Sequence, residues 1–196
     1  MDRQEPIVSN EPYHIYNRGN NRQTIFHDTS DYSAFLVKLN ASSAKNGVTL
    51  VAYVVMANHF HLLVVQRTGG SIPKMMESLG TSTAKRHNVR YGHIGHVFQG
   101  PYRYVFIPTL EGVVRVARYI HLNPVRAGLV KSPEEWLWSD FRRHVGFDEG
   151  FLGQGASRVQ GNLLPPPHEY AEFVRLGIVD IESVRQMLYN IADEQR

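Results

Sequence analysis

The chain has 196 residues, a hydrophobic fraction of 42% and a net charge of +3, which suits one domain of ordinary size with a real core plus an extension. No apolar run approaches the roughly 18 residues of a membrane span, and Met1-Asp2-Arg3-Gln4-Glu5 carries no signal-peptide pattern, so a cytoplasmic protein with no membrane partner is expected. The absence of cysteine excludes disulfides and thiolate zinc sites and leaves any metal to His, carboxylate, amide or water.

Tyr13-His14-Ile15-Tyr16-Asn17-Arg18 has the β-branched and aromatic content of a strand, and Gly19-Asn20-Asn21-Arg22 supplies a turn behind it. From Asp31 to Asn46, Tyr32, Phe35, Leu36 and Leu39 recur near helical spacing, and Asn46-Gly47 closes the helix as a C-cap would. Val48 to Met56 and His59 to Gln66 read as strands joined by the tight Ala57-Asn58 connection, an antiparallel hairpin. Beyond the Thr68-Gly69-Gly70-Ser71 break, Ile72, Met75, Met76 and Leu79 begin a helix that runs toward Tyr91. A loop rich in glycine then leads into a strand over Arg103 to Ile107. Strand, helix, strand, strand, helix, strand is the ferredoxin-like α+β order: an antiparallel sheet with helices on one face and the other face open for a site.

Thr109 is a suitable N-cap for a further helix, with Glu111 in the first turn where the helix dipole favours an acid. Val113, Val116, Ala117 and Ile120 form its apolar stripe, while Arg115, Tyr119 and Asn123 lie at i, i+4 and i+8 on a separate flank. Pro124 disfavours helical geometry at Asn123. The acidic, aromatic segment Glu134 to Asp140 should pack back on the domain. Gly146 to Pro167 reads as a linker, followed by short helices over His168 to Leu176 and Asp180 to Ala192. The expected organisation is one domain over 1–146 and a linker with a helical extension over 147–196.

The net charge conceals an asymmetry. Between Asp31 and Glu134 twelve bases stand against two acids, Glu77 and Glu111, a local net of +10 that leaves −7 for the remainder. A span so poor in carboxylates and rich in arginine suits a polyanion, with bidentate guanidinium contacts to phosphate. The expected nucleic-acid contacts are Arg18, Arg22, Lys85, Arg86, Arg90, Arg103 and Arg115.

Within this span stands His59-Phe60-His61. Successive side chains of a strand alternate faces, so the two imidazoles project from one side and can hold a metal. A bare His-x-His is equally consistent with one surface and one core histidine. A divalent ion on a basic sheet face would act as a Lewis acid on a phosphodiester, with water or a tyrosine as nucleophile. Phenol has a pKa of about 10, so such a tyrosine needs an electropositive surrounding, which Arg115 and the metal can supply. Among ten tyrosines Tyr119 is set apart by its flank and by Asn123 four residues on, whose amide oxygen can complete a metal site.

Three blocks in order carry a resemblance: Tyr13 to Arg22 with Ile25-Phe26, Met56 to Leu63, and Arg118-Tyr119-Ile120 through Asn123-Pro124-Val125-Arg126-Ala127-Gly128-Leu129-Val130. Over roughly Tyr13 to Asp140 the chain resembles the single-tyrosine transposases of the HUH type (histidine, hydrophobic, histidine), most closely the branch associated with repetitive extragenic palindromes (REP), the REP-associated tyrosine transposases. The resemblance implies that His59, His61 and Asn123 ligate Mg²⁺ or Mn²⁺, and that Tyr119 attacks single-stranded DNA of hairpin or palindromic form. The product would be a 5′-phosphotyrosine and a free 3′-hydroxyl. Imidazole ligands alone would favour zinc or another transition ion. The chain departs from the pattern at Pro101, where an arginine is expected after Phe98-Gln99-Gly100; Arg103 stands two residues on. Two rival readings stay open: a regulator that keeps the fold and binds DNA without cutting it, and a metal-dependent nuclease that uses water. Both a monomer and a homodimer are compatible with the sequence.

Overall fold

The sheet is built from β1 (Pro12–Arg18), β2 (Val48–Met56), β3 (His59–Gln66) and β4 (Arg103–Phe106) in the order β2-β3-β1-β4, every neighbouring pair antiparallel. The computed structural model describes residues 6–147 and 163–177. With α1 (Thr29–Lys45) after β1 and α2 (Ile72–Tyr91) after β3, the connectivity is the ferredoxin-like split βαβ expected from the element order. The expected helix over 180–192 and most of the glycine-rich stretch before Pro167 lie outside the described residues.

Local chemistry sets these limits. Asp28 caps α1 by accepting from the Ser30 and Asp31 N–H groups, and Asn46 with Gly47 at φ 58° ends it. Ser71 caps α2, and Gly92 in the left-handed region closes it. The two-residue Ala57-Asn58 turn fixes the β2–β3 register, with Met56 opposite His59.

Two cores lie on opposite faces of the sheet. On one, Tyr13, Ile15, Phe60, Leu62 and Val64 meet Phe35, Leu36 and Leu39 of α1 and Met75 and Leu79 of α2. The other face departs from expectation, because it is not left open. The helix α3 (Leu110–Arg126) lies across it and packs Val113, Val116, Ala117 and Ile120 against Val51, Val54, Met56 and Leu63. Each fully buried valine, leucine, isoleucine or methionine here contributes about 1.5–3 kcal/mol, which outweighs leaving that face to water. The short helices α4 (Phe141–His144) and α5 (Pro167–Leu176) extend this second core through Phe141, Tyr170 and Val174.

The 134–140 segment packs back as expected. Trp136 donates its indole N–H to the Val55 carbonyl at 3.1 Å, and Trp138 stacks on Tyr32. Among the described residues no helix is long and apolar enough to cross a membrane.

Candidate active site

β3 leaves its turn with His59 and His61 on the α3 side of the sheet, while Phe60 between them enters the other core. Antiparallel β1 sets Arg18 opposite His59, Tyr16 opposite His61 and His14 opposite Leu63, so these β1 side chains share that face. β4 on the far side of β1 sets Arg103 opposite Tyr16 and adds a second exposed guanidinium to it. At the end of β1 the guanidinium of Arg18 donates to Gln99 Oε1 at 2.7 and 3.0 Å, which aligns it along the 97–100 segment.

The helix α3 delivers Tyr119 to this face. Its half-buried ring lies 5.6 Å from the His61 ring centroid and 6.2 Å from that of His14, edge-on to both. One turn later Asn123 stays helical despite Pro124. Proline lacks the N–H that would bond the Ile120 carbonyl. The Asn123 amide donates instead, to Tyr119 O at 2.8 Å and more weakly to Ile120 O at 3.4 Å. α3 therefore runs on to Arg126, with the Asn123 side-chain amide held to the preceding turn through its Nδ2.

Both imidazoles of the pair have Nδ1 engaged. His59 Nδ1 lies 2.7 Å from Asn58 Oδ1, and Asn58 Nδ2 donates to the Arg22 carbonyl at 3.1 Å, which fixes the amide so that Oδ1 accepts. That carbonyl is aimed by a turn in which Asn21 and Arg22 hold φ of 49° and 61°. Gly19 permits this close loop, since a Cβ there would collide with the Gln23 carbonyl. His61 Nδ1 faces His14 Nε2 at 3.0 Å. Among the described residues neither ring has a hydrogen bond at Nε2, the nitrogen that could ligate a metal.

The electrostatics agree with ligation. Burial, aided by Arg18, lowers the His59 pKa to about 4, and burial lowers that of His14 to about 3. His61 is held well below its ordinary value by burial first, then by His14, His59 and Arg126. All three rings are neutral at physiological pH, the form a metal requires. Two imidazole nitrogens and an amide oxygen could together hold a divalent ion without a carboxylate.

The structure divides the expected basic contacts. Arg18 and Arg103 stand on the histidine face, and exposed Arg22 lies in the turn beside it. Lys85, Arg86 and Arg90 belong to α2, in the layer behind the sheet. Arg90 forks across Asp28 and Asp31, and Arg86 pairs with Asp31, so both guanidiniums hold α2 to the N-terminus of α1. Arg115 is tied to Glu111 one turn earlier at 2.6 Å. The guanidinium seen over the Tyr119 ring is that of Arg126, 5.2 Å from the centroid, rather than that of Arg115.

Two neighbours of the site, His14 and Arg126, were not among the residues expected there from the sequence. Both leave a periodic signal. Arg126 is i+7 from Tyr119, two turns along the same flank, and His14 alternates with Tyr16 and Arg18 on one strand face.

A second group of imidazoles lies between α3 and α4. His121, Asp140 and His144 bring their ligand atoms within 4.8 Å of one another. His121 Nε2 meets Asp140 Oδ1 at 3.0 Å and its Nδ1 meets the Tyr170 hydroxyl at 2.7 Å. His144 Nε2 meets the Val51 carbonyl at 2.8 Å, and Asp140 also accepts the Tyr53 N–H at 2.7 Å. Burial raises the Asp140 pKa, and the facing His144 and His121 more than reverse this, holding the carboxyl well below its usual range. The named ligand nitrogens already have protein partners, so this group is a hydrogen-bonded tie between sheet, α3 and α5.

The family model of IS200-like transposases matches residues 7–123, from before β1 to Asn123. A solved REP-associated tyrosine transposase bound to a REP hairpin is similar in fold, with a TM-score of 0.64 at 17% identity over 84% of this chain and 94% of that one. A putative transposase from Deinococcus radiodurans aligns at TM-score 0.41 and 23% identity over 54% of this chain and 85% of that one. A bacterial tRNA(His) guanylyltransferase-like protein in complex with GTP aligns at 0.46 and 10% identity over 67% and 70%. No curated protein matches the chain by sequence. With the match spanning the sheet, the histidine strand and the tyrosine helix, the chain belongs to the IS200-like transposase family, enzymes that process DNA.

Proposed function

We propose that the protein is a single-tyrosine strand transferase for single-stranded DNA of hairpin or palindromic form, with His59, His61 and Asn123 holding Mn²⁺ or Mg²⁺ and Tyr119 as nucleophile. The observation that carries the reading is the convergence of two neutral imidazoles, each with Nδ1 engaged, on the face where the Tyr119 ring stands 5.6 Å from His61. The bound ion would polarise the scissile phosphate and offset the charge that develops on it.

The Tyr119 oxygen forms a bond to phosphorus as the bond from phosphorus to the 3′ oxygen breaks. The phenolic proton leaves to solvent, and the departing oxygen takes up a proton to become a 3′-hydroxyl. The phosphodiester energy is kept in the 5′-phosphotyrosine, so a second strand's 3′-hydroxyl can reverse the step and join the fragments anew. Arg126 over the Tyr119 ring favours the phenolate, and Arg18 with Arg103 lies where a phosphate chain would cross the histidines. The solved REP-associated transposase carries a REP hairpin, which supports a hairpin as the substrate form here.

Incubation of a single-stranded REP-type hairpin with protein and Mn²⁺ is expected to give a protein–DNA adduct that survives denaturant and is absent with Tyr119→Phe. Cleavage without any adduct would instead support a water-using nuclease, and hairpin binding with no cleavage in any divalent ion a non-cutting regulator.

A further inference from the structure

We propose that His14 is a positioning residue for the metal ligand His61, holding its ring and accepting its Nδ1 proton so that Nε2 is presented to the ion. This rests on the reading of His59 and His61 as metal ligands.

His14 Nε2 and His61 Nδ1 are 3.0 Å apart and the two ring planes differ by only 16°. The ring centroids are 5.1 Å apart, nearly the full nitrogen gap plus the two ring radii, so these near-parallel imidazoles meet edge to edge rather than face over face, as an in-plane N–H···N bond requires. One proton lies between two nitrogens. With the proton on His14 Nε2, a neutral His61 must carry its own on Nε2 and cannot ligate there. With the proton on His61 Nδ1, the Nε2 lone pair is free. Metal binding therefore selects the second state, and His14 is the acceptor that permits it.

The ring contacts of His14 with Tyr16 and Tyr119 would be met by any aromatic ring and do not call for an imidazole. His14 is 2% exposed, and its Nδ1 is buried with no hydrogen-bond partner among the described residues. Among the described residues its one hydrogen-bond contact is thus to His61. Burying such a ring costs free energy that a leucine or phenylalanine of similar volume would not incur. Asn58 stands to His59 as His14 stands to His61, but Asn58 sits beside its partner in sequence, whereas His14 comes from the neighbouring strand. The β1–β3 pairing thereby becomes part of the metal site.

The test has two arms. In wild-type protein, NMR should show a ¹⁵N–¹⁵N coupling across the hydrogen bond between His14 Nε2 and His61 Nδ1; its absence would overturn the proposal. In variants, Mn²⁺ affinity is read by titration without DNA. His14→Phe, checked for a native thermal transition, is expected to weaken Mn²⁺ binding by about 10- to 100-fold. His14→Gln, whose amide oxygen can accept the same proton, should recover much of the loss, and hairpin affinity in EDTA should not change in either. Wild-type Mn²⁺ affinity in a folded His14→Phe, or a Gln variant no better than Phe, would overturn the proposal alone. Mn²⁺ binding that survives both His59→Ala and His61→Ala would overturn the reading of function as well.

Discussion

The molecule holds two groups of buried histidines in contrasting states. In the His121–Asp140–His144 group, the named ligand nitrogens are met by a carboxylate, a hydroxyl or a backbone carbonyl. In the His14–His59–His61 group the hydrogen bonds among the described residues reach Nδ1 of the pair and leave Nε2. The first ties α3, α4 and α5 to the sheet; the second faces a tyrosine and two arginines. On the proposed reading, proximity of imidazoles is a poor guide to metal binding, and the better guide is which nitrogen the neighbours have already taken.

Exchanging one histidine from each group separates the two roles. His61→Ala should abolish Mn²⁺ binding and slow cleavage by about a hundredfold or more, with little change in thermal stability. His121→Ala leaves Asp140 and Tyr170 buried without their partner and should cost about 2–4 kcal/mol, seen in chemical denaturation, with Mn²⁺ binding kept. Loss of Mn²⁺ binding in a His121→Ala protein of normal stability would move the metal to the other group.

The pH dependence sharpens the same contrast. His59 and His14 have folded pKa values of about 4 and about 3, below the ordinary 6.5, so the unfolded chain binds more protons between those values. The stability they contribute is fully present above about 6.5 and is lost as the pH falls toward about 4 for His59 and about 3 for His14. The melting temperature of the metal-free protein should decline over that window, and Mn²⁺ binding should persist at about pH 5.5, where ordinary histidines are mostly protonated. A Mn²⁺ titration that collapses near pH 6.5 would show that the pair is not desolvated as described.

The smallest differences concern the arginines. Arg18→Ala and Arg103→Ala should each flatten the log–log salt dependence of hairpin binding by roughly 0.7 for every phosphate the guanidinium neutralises. Arg90→Ala should leave that slope unchanged and lower stability instead, since its guanidinium pairs with the buried Asp31. Equal slopes for all three variants would remove the distinction between the two sides of the sheet.

Much of this was legible in the sequence because it is local. The β2 and β3 limits follow from β-branched runs around Ala57-Asn58, and the start of α3 follows from Thr109, whose hydroxyl accepts the Gly112 N–H at 3.0 Å. The Tyr119 to Asn123 flank follows from helical spacing. What the sequence did not disclose depends on register between distant segments. That His14 would meet His61 requires the β1–β3 pairing, and that Arg86 and Arg90 would be spent on Asp28 and Asp31 requires the α1–α2 packing. The covered second face did have a local sign: apart from Thr49, Val48 to Met56 is apolar at both alternating positions, and all nine residues are buried.

The polarity of the covalent product tests the reaction most directly. With a single-stranded hairpin labelled separately at each end and incubated with Mn²⁺, attack by Tyr119 leaves the fragment 3′ of the cut on the protein through its 5′ phosphate and releases the 5′ fragment with a free 3′-hydroxyl. A protein that retains the 5′ fragment, or that releases both, would contradict it.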